Sequence, residues 1–198
     1  LVGAKYVILG QEYKRIKEKK ITNRANNFLI SCGGSDPFNL SLLSLGALGE
    51  IEEYLNIKLV IGPLFSKELK DSIEEAALSL SHNLEIIRSP KSLAGYIQWS
   101  DITISTSGLT KYEIMVTGTP SVIILFNEEQ VIVNQPLMDS RAFKSVPWTI
   151  SEDEFSNELV KLMKNRFMRE EISKIGKSII DANGADRLIN FVEKEYVS

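Results

Sequence analysis

The chain has 198 residues, 43% of them hydrophobic and 25% charged, with a net charge of −3. This is the make-up of a globular domain large enough for a sizeable core. The acidic balance offers no basic face for nucleic acid, and no apolar run nears the roughly 20 residues that span a bilayer, so a membrane is not indicated. The single cysteine, Cys32, excludes an intrachain disulfide and points to a reducing, cytoplasmic setting.

The opening Leu1-Val2-Gly3-Ala4-Lys5-Tyr6 lacks the basic-then-apolar layout of a signal peptide, and with leucine in first place the chain reads as a domain of a longer polypeptide. Residues 11–27 are polar and charged, including the basic run 14–20, and read as a connector or an exposed helix. Apolar runs and amphipathic stretches then alternate. Strands are expected at 28–31, 58–61, 84–88, 102–104 and 121–125. Helices are expected at 39–54, 66–80, 92–99, 110–117 and 128–140, with Pro136 disturbing the register of the last. Five β-α units with continuously apolar strands imply a Rossmann-like parallel sheet with helices on both faces. Three helices follow, at 151–163, 168–180 and 185–196, the first opened by a capping box of Ser151 and Glu154. The domain plan is a connector and lead-in segment (1–27), an α/β domain (28–150) and C-terminal helices packed on it (151–198).

In such a sheet every loop that follows a strand lies along the carboxyl edge, where ligands of open α/β folds bind. Two glycine turns fall there. Gly33-Gly34-Ser35-Asp36 follows the first strand. Its backbone would approach a diphosphate or sugar closely, with Ser35 as a hydroxyl donor; equally, Ser35 or Asp36 would simply cap the next helix. It is not the dinucleotide fingerprint, since no G-x-G-x-x-G is present. Ser107-Gly108-Leu109-Thr110 follows the fourth strand and opens a helix whose amides would face an anion. Glu113, one turn on, would accept both hydroxyls of a ribose; alternatively, Thr110 and Glu113 form a capping box without a ligand. Asn134 and Gln135 carry amides suited to sugar hydroxyls, or are a solvated pair. His82, the only histidine, falls on the opposite edge and is expected at the surface. Cys32, with no histidine on its edge, reads as a small buried residue. Trp99, Phe155 and Phe191 read as packing residues. No ligand-spaced cluster for a metal and no nucleophile–base pair is visible, so no cofactor and no catalytic residue is assigned within the chain.

Taken in order, the pieces resemble a known group. Leu1 to Tyr6, Phe28 to Pro37, Ser100 to Glu113 with Gly118-Thr119-Pro120, Asn134-Gln135, and Asp181 with Gly184-Ala185 and Arg187 are similar to the C-terminal half of UDP-sugar hydrolases of the pseudaminic-acid pathway. They also resemble spore-coat polysaccharide biosynthesis proteins and the C-terminal domain of the peptidoglycan N-acetylglucosaminyl transferase, a GT-B enzyme. Cys32 departs from the aromatic residue usual before the glycines, and Leu109 from a small residue. The resemblance implies a GT-B C-terminal domain that binds a UDP-sugar. Ser107, Gly108, Leu109 and Thr110 would hold the diphosphate and Glu113 the ribose. Gly33, Gly34, Ser35, Asn134 and Gln135 would lie on the sugar side, and the uracil between 89–93 and the turn at Ser105. It further implies that the catalytic base, a histidine, belongs to an N-terminal half. A donor-binding domain of a glycosyltransferase and a non-catalytic sugar-nucleotide-binding domain fused to another enzyme are the alternatives.

Overall fold

The computed structural model describes residues 1–196. Six parallel strands form one sheet: β1 (Asn27–Ser31), β2 (Asn56–Ile61), β3 (Asn83–Arg88), β4 (Ile102–Thr106), β5 (Ser121–Leu125) and β6 (Lys144–Pro147), in the spatial order β3-β2-β1-β4-β5-β6. The helices are α1 (Leu40–Gly49), α2 (Lys67–Ser79), α3 (Ala94–Trp99), α4 (Thr110–Thr117), α5 (Glu128–Asp139), α6 (Glu152–Lys164), α7 (Arg166–Ile179) and α8 (Gly184–Tyr196). β1 is central, paired with β2 on one side and β4 on the other; Ser31 sits opposite Ser105.

Successive strand residues point to opposite faces, and both faces are covered. Phe28, Ile30, Leu59 and Ile104 pack with α1, α2 and α6, while Leu29, Val60 and Ile123 pack with α3, α4 and Tyr13 of the connector. The doubly wound sheet with C-terminal helices expected from the sequence is therefore present. The Ser151–Glu154 capping box opens α6 as expected.

Four expectations need correction. A sixth strand, β6, was not legible: it is a four-residue edge strand in which only Val146 is buried, and it ends on Pro147, a residue that edge positions tolerate. The first helix stops at Gly49 instead of running to 54, consistent with the weak helix propensity of glycine, and Ile51 is buried from the turn beyond it. His82 is buried, 9% exposed, with Nε2 2.8 Å from the Leu48 carbonyl oxygen; it does lie on the amino edge. Phe191 is 41% exposed, whereas Phe155 is in the core.

Residues 1–27 run over the domain with two 3-10 turns, Ala4–Tyr6 and Gln11–Arg15. Lys19 donates to the carbonyls of Gln98 (2.8 Å) and Ser100, and burial pulls its pKa down to about 8. The Asp101 carboxylate accepts the amides of Asn26 (3.1 Å) and Asn27 (3.0 Å). At the other end, Arg187 binds the Asp181 carboxylate and the Lys5 carbonyl (2.9 Å), and Lys14 pairs with Asp186 at 2.6 Å. A Cβ on Gly184 would stand 2.1 Å from the Val7 carbonyl oxygen, so only glycine lets the lead-in pass the start of α8.

Candidate functional site

The strand order reverses direction between β1 and β4, since β1 leads to β2 and β3 on one side and the chain then returns to β4 on the other. The crevice outside the carboxyl ends of such a pair is where open α/β sheets bind ligands. Both glycine turns flank it. The ideal Cβ of Gly33, a residue with φ +91°, would lie 4.0 Å from the Thr106 hydroxyl, and the Ser105 hydroxyl donates to the Ser31 carbonyl at 2.7 Å.

The helices that follow the two turns begin differently. α1 is already capped: Asp36, buried and with φ 44°, accepts the amides of Leu40 and Ser41, each at 2.8 Å. Its carboxylate occupies the place where an anion would sit, so of the two readings of Asp36 the cap is the one observed. α4 has no side-chain cap; Leu109 is its N-cap residue, and Thr110 is the first helical residue rather than the cap of a Thr–Glu box. The amides of Gly108, Leu109 and Thr110 donate to no group among the described residues. They carry the positive end of the helix dipole and face the crevice rim, where Gly108 and Leu109 are exposed.

Lys111 adds charge here. It is 5% exposed, its Nζ donates to the Ser107 carbonyl at 2.6 Å and lies 4.6 Å from the Tyr112 ring centroid, and it has no carboxylate within ion-pair distance among the described residues. Burial lowers its pKa. Glu113 is half-buried. Burial raises its pKa, while the hydroxyls of Tyr13 and Thr110 draw it back and Glu12 adds repulsion.

A cavity of about 240 Å³ lies at the same edge, lined by Gly33, Gly34, Gly62, Ser89, Pro90 and Thr110 among others. It joins the first glycine turn, the loop after β3 and the start of α4, three segments singled out from the sequence. It is smaller than the 300–1,000 Å³ usual for a complete ligand pocket. A larger depression of about 720 Å³ lies beyond edge strand β6, against α6; its Glu158 and Lys161 are paired with each other, and neither glycine turn reaches it.

Not every expected residue joins the crevice. Ser35 is exposed on the rim. Asn134 is buried, its Nδ2 donating to the Gln130 carbonyl at 2.6 Å and its Oδ1 unpartnered; Gln135 is exposed and bound to Asp139 at 2.7 Å. Adjacent helical residues diverge by about 100°, so the two amides do not act as one clamp. Cys32 is buried and burial pushes its thiol up, as an inert residue should be. Sequence reasoning missed Gly62, Tyr13 and Lys111. A Cβ on Gly62 would stand 2.4 Å from the Gly34 carbonyl oxygen, so the β2 turn packs directly on the first glycine turn. The signal was Gly62-Pro63 at a carboxyl edge, which reads equally as the end of a strand. Tyr13 and Lys111 carry no local signal. Among the described residues, no three His, Cys, Asp or Glu side chains are grouped to hold a metal ion, and no helix is long and apolar enough to cross a membrane.

Comparison with known proteins agrees with this architecture. A family model described as the glycosyltransferase family 28 C-terminal domain matches residues 28–192. An uncharacterized protein of Methanocaldococcus jannaschii is 32% identical over 132 residues, 65% of this chain and 27% of that protein. The spore coat polysaccharide biosynthesis protein SpsG of Bacillus subtilis is 21% identical over 199 residues, 98% of this chain and 58% of that protein. Among solved structures, MurG of Acinetobacter baumannii superposes with a TM-score of 0.75 at 18% identity, covering 92% of this chain and 52% of that one. S. aureus MnaA, solved with UDP, gives 0.68 at 12% identity, covering 92% and 47%. These structural matches establish the fold. The chain spans from about a quarter to just over half the length of these proteins.

Proposed function

This chain belongs to the glycosyltransferase family 28 C-terminal domain family, and from that premise we propose that it is the UDP-sugar-binding half of an enzyme of surface-polysaccharide synthesis. The uncapped N-terminus of α4 carries the reading. Three amides without an acceptor among the described residues lie at a switch point, beside a buried lysine that bonds only a carbonyl, and form a site for a diphosphate, while the corresponding end of α1 is filled by Asp36. Gly108, Leu109 and Thr110 hold the diphosphate. Glu113 accepts the ribose hydroxyls, because a carboxylate beside phosphate is repulsive and a hydroxyl is the better partner. The cavity between Ser89, Pro90 and Thr110 takes the base, and Gly33, Gly34 and Ser35 line the sugar side.

The reaction served is cleavage of the sugar C1–O bond with UDP leaving. The α4 amides stabilise the charge that develops on the departing diphosphate, as preorganised donors do in a water-poor cleft. The ordered motifs resembling the pseudaminic-acid-pathway hydrolases favour water as the acceptor, with the base on the other half. The family description, a glycosyltransferase, favours transfer to an acceptor other than water, from a donor site that looks the same in this half. Both need the nucleotide, and a fused non-catalytic sensor would need it too.

Calorimetric titration of the chain with UDP, CMP and ADP tests the reading. Saturable binding of UDP in preference to the other two is expected, with no steady release of UDP from UDP-sugar by the chain alone. Absence of UDP binding at millimolar concentration contradicts the site, and turnover by the isolated chain contradicts the division of labour.

A further inference from the structure

Tyr13 lies far in sequence from every motif of the site, in the 3-10 turn Gln11–Arg15 of the connector, and it is 4% exposed. Its hydroxyl is wholly buried and has no hydrogen-bond partner of normal geometry. Buried hydroxyls are nearly always paired, and an orphan one is destabilising until it finds an acceptor. The turn packs on α4, with Tyr13 in one buried cluster with Ile114 and against Tyr112, the two neighbours of Glu113; the ionisation of Tyr13 responds to the Glu113 carboxylate and, less, to the Ser92 hydroxyl. The same turn reaches the base side of the crevice, where Glu12 accepts the Ser92 hydroxyl at 2.7 Å. Two successive connector residues thus touch the two protein segments between which a nucleoside would sit.

We propose that Tyr13 is a positioning residue of the nucleoside site, whose hydroxyl donates to Glu113 when a ribose diol occupies that carboxylate. The inference rests on the ribose role of Glu113 proposed above. A carboxylate has about four lone-pair sites, so it accepts two ribose hydroxyls and the phenol together. Ligand binding then seats the carboxylate, and the hydroxyl left unpaired in the free protein becomes paired. Nucleotide occupancy is in this way linked to the connector.

The test is titration of the chain and of Tyr13→Phe with UDP and with 2′-deoxy-UDP, with melting of both proteins free of nucleotide. Wild type should prefer UDP. Tyr13→Phe should weaken UDP by about threefold to tenfold, the worth of one hydrogen bond, and leave 2′-deoxy-UDP within about twofold. Free Tyr13→Phe should melt at the same temperature or higher, since the substitution removes only an orphan hydroxyl. Equal losses for both nucleotides, no loss for UDP, or a lower melting temperature of the free variant would each overturn the proposal. If Tyr13 alone is misassigned, the wild-type preference for UDP persists. A wild type that does not separate the two nucleotides removes the ribose role of Glu113 and that of Tyr13 with it.

Discussion

In the ribose role proposed above, Glu113 has two opposed pH dependences. Burial raises its pKa above the ordinary value of 4.5, so the folded state binds its proton more readily than the unfolded chain does. Between the unfolded and folded pKa values, stability falls as pH rises; the penalty is fully present above the folded pKa and absent below the unfolded one. Ligand binding runs the other way, because only the ionised carboxylate accepts two ribose hydroxyls. Acidification through the raised pKa should therefore weaken UDP binding while relieving the stability penalty. Glu113→Gln should melt no lower than wild type at neutral pH, lose about 1.5–3 kcal/mol of UDP binding, the range for hydrogen bonds to a charged group, and flatten the pH dependence of affinity. Binding and melting measured from pH 4 to pH 8 read both effects. A loss below about 0.5 kcal/mol, the scale of an ordinary surface substitution, would remove the ribose role.

At the scale of elements, the contrast is between two helix starts on one sheet edge. Both turns were legible as glycine-rich strand-to-helix links, and the parallel sheet followed from β-α alternation, though its strand order did not. Their division of labour was not legible. Whether Asp36 turns back to cap α1 depends on its left-handed backbone and on that of Asn39, the residue before the helix; the sequence offers Ser35 and Asp36 as equal cap candidates. Likewise the Thr110–Glu113 spacing fits a capping box, but the helix begins one residue too early for Thr110 to cap it. Contacts that cross the chain, such as Gly62 on Gly34 or Tyr13 on α4, leave no local periodicity to read. Asp36→Ala should cost about 0.5–2 kcal/mol of stability, as loss of a helix cap does, and leave UDP affinity unchanged. Denaturant unfolding alongside titration checks both halves of that statement, and a large loss of affinity without a loss of stability would return the anion to α1.

Across the whole molecule, the carboxyl edge is an open crevice flanked by the two glycine turns. The cavity there, of about 240 Å³, is smaller than a complete ligand pocket, and the chain spans 58% of SpsG and 52% of MurG in length. At that edge the thiol of Cys32 is buried, and the histidine, His82, lies on the opposite edge. The central claim, that the diphosphate sits on α4 and not on α1, is tested most directly by backbone amide NMR during titration with UDP. The account predicts saturable shifts centred on the amides of Gly108, Leu109 and Thr110, with those of Leu40 and Ser41 unmoved. Shifts centred on Leu40 and Ser41, or none at the start of α4 at saturating UDP, would contradict it.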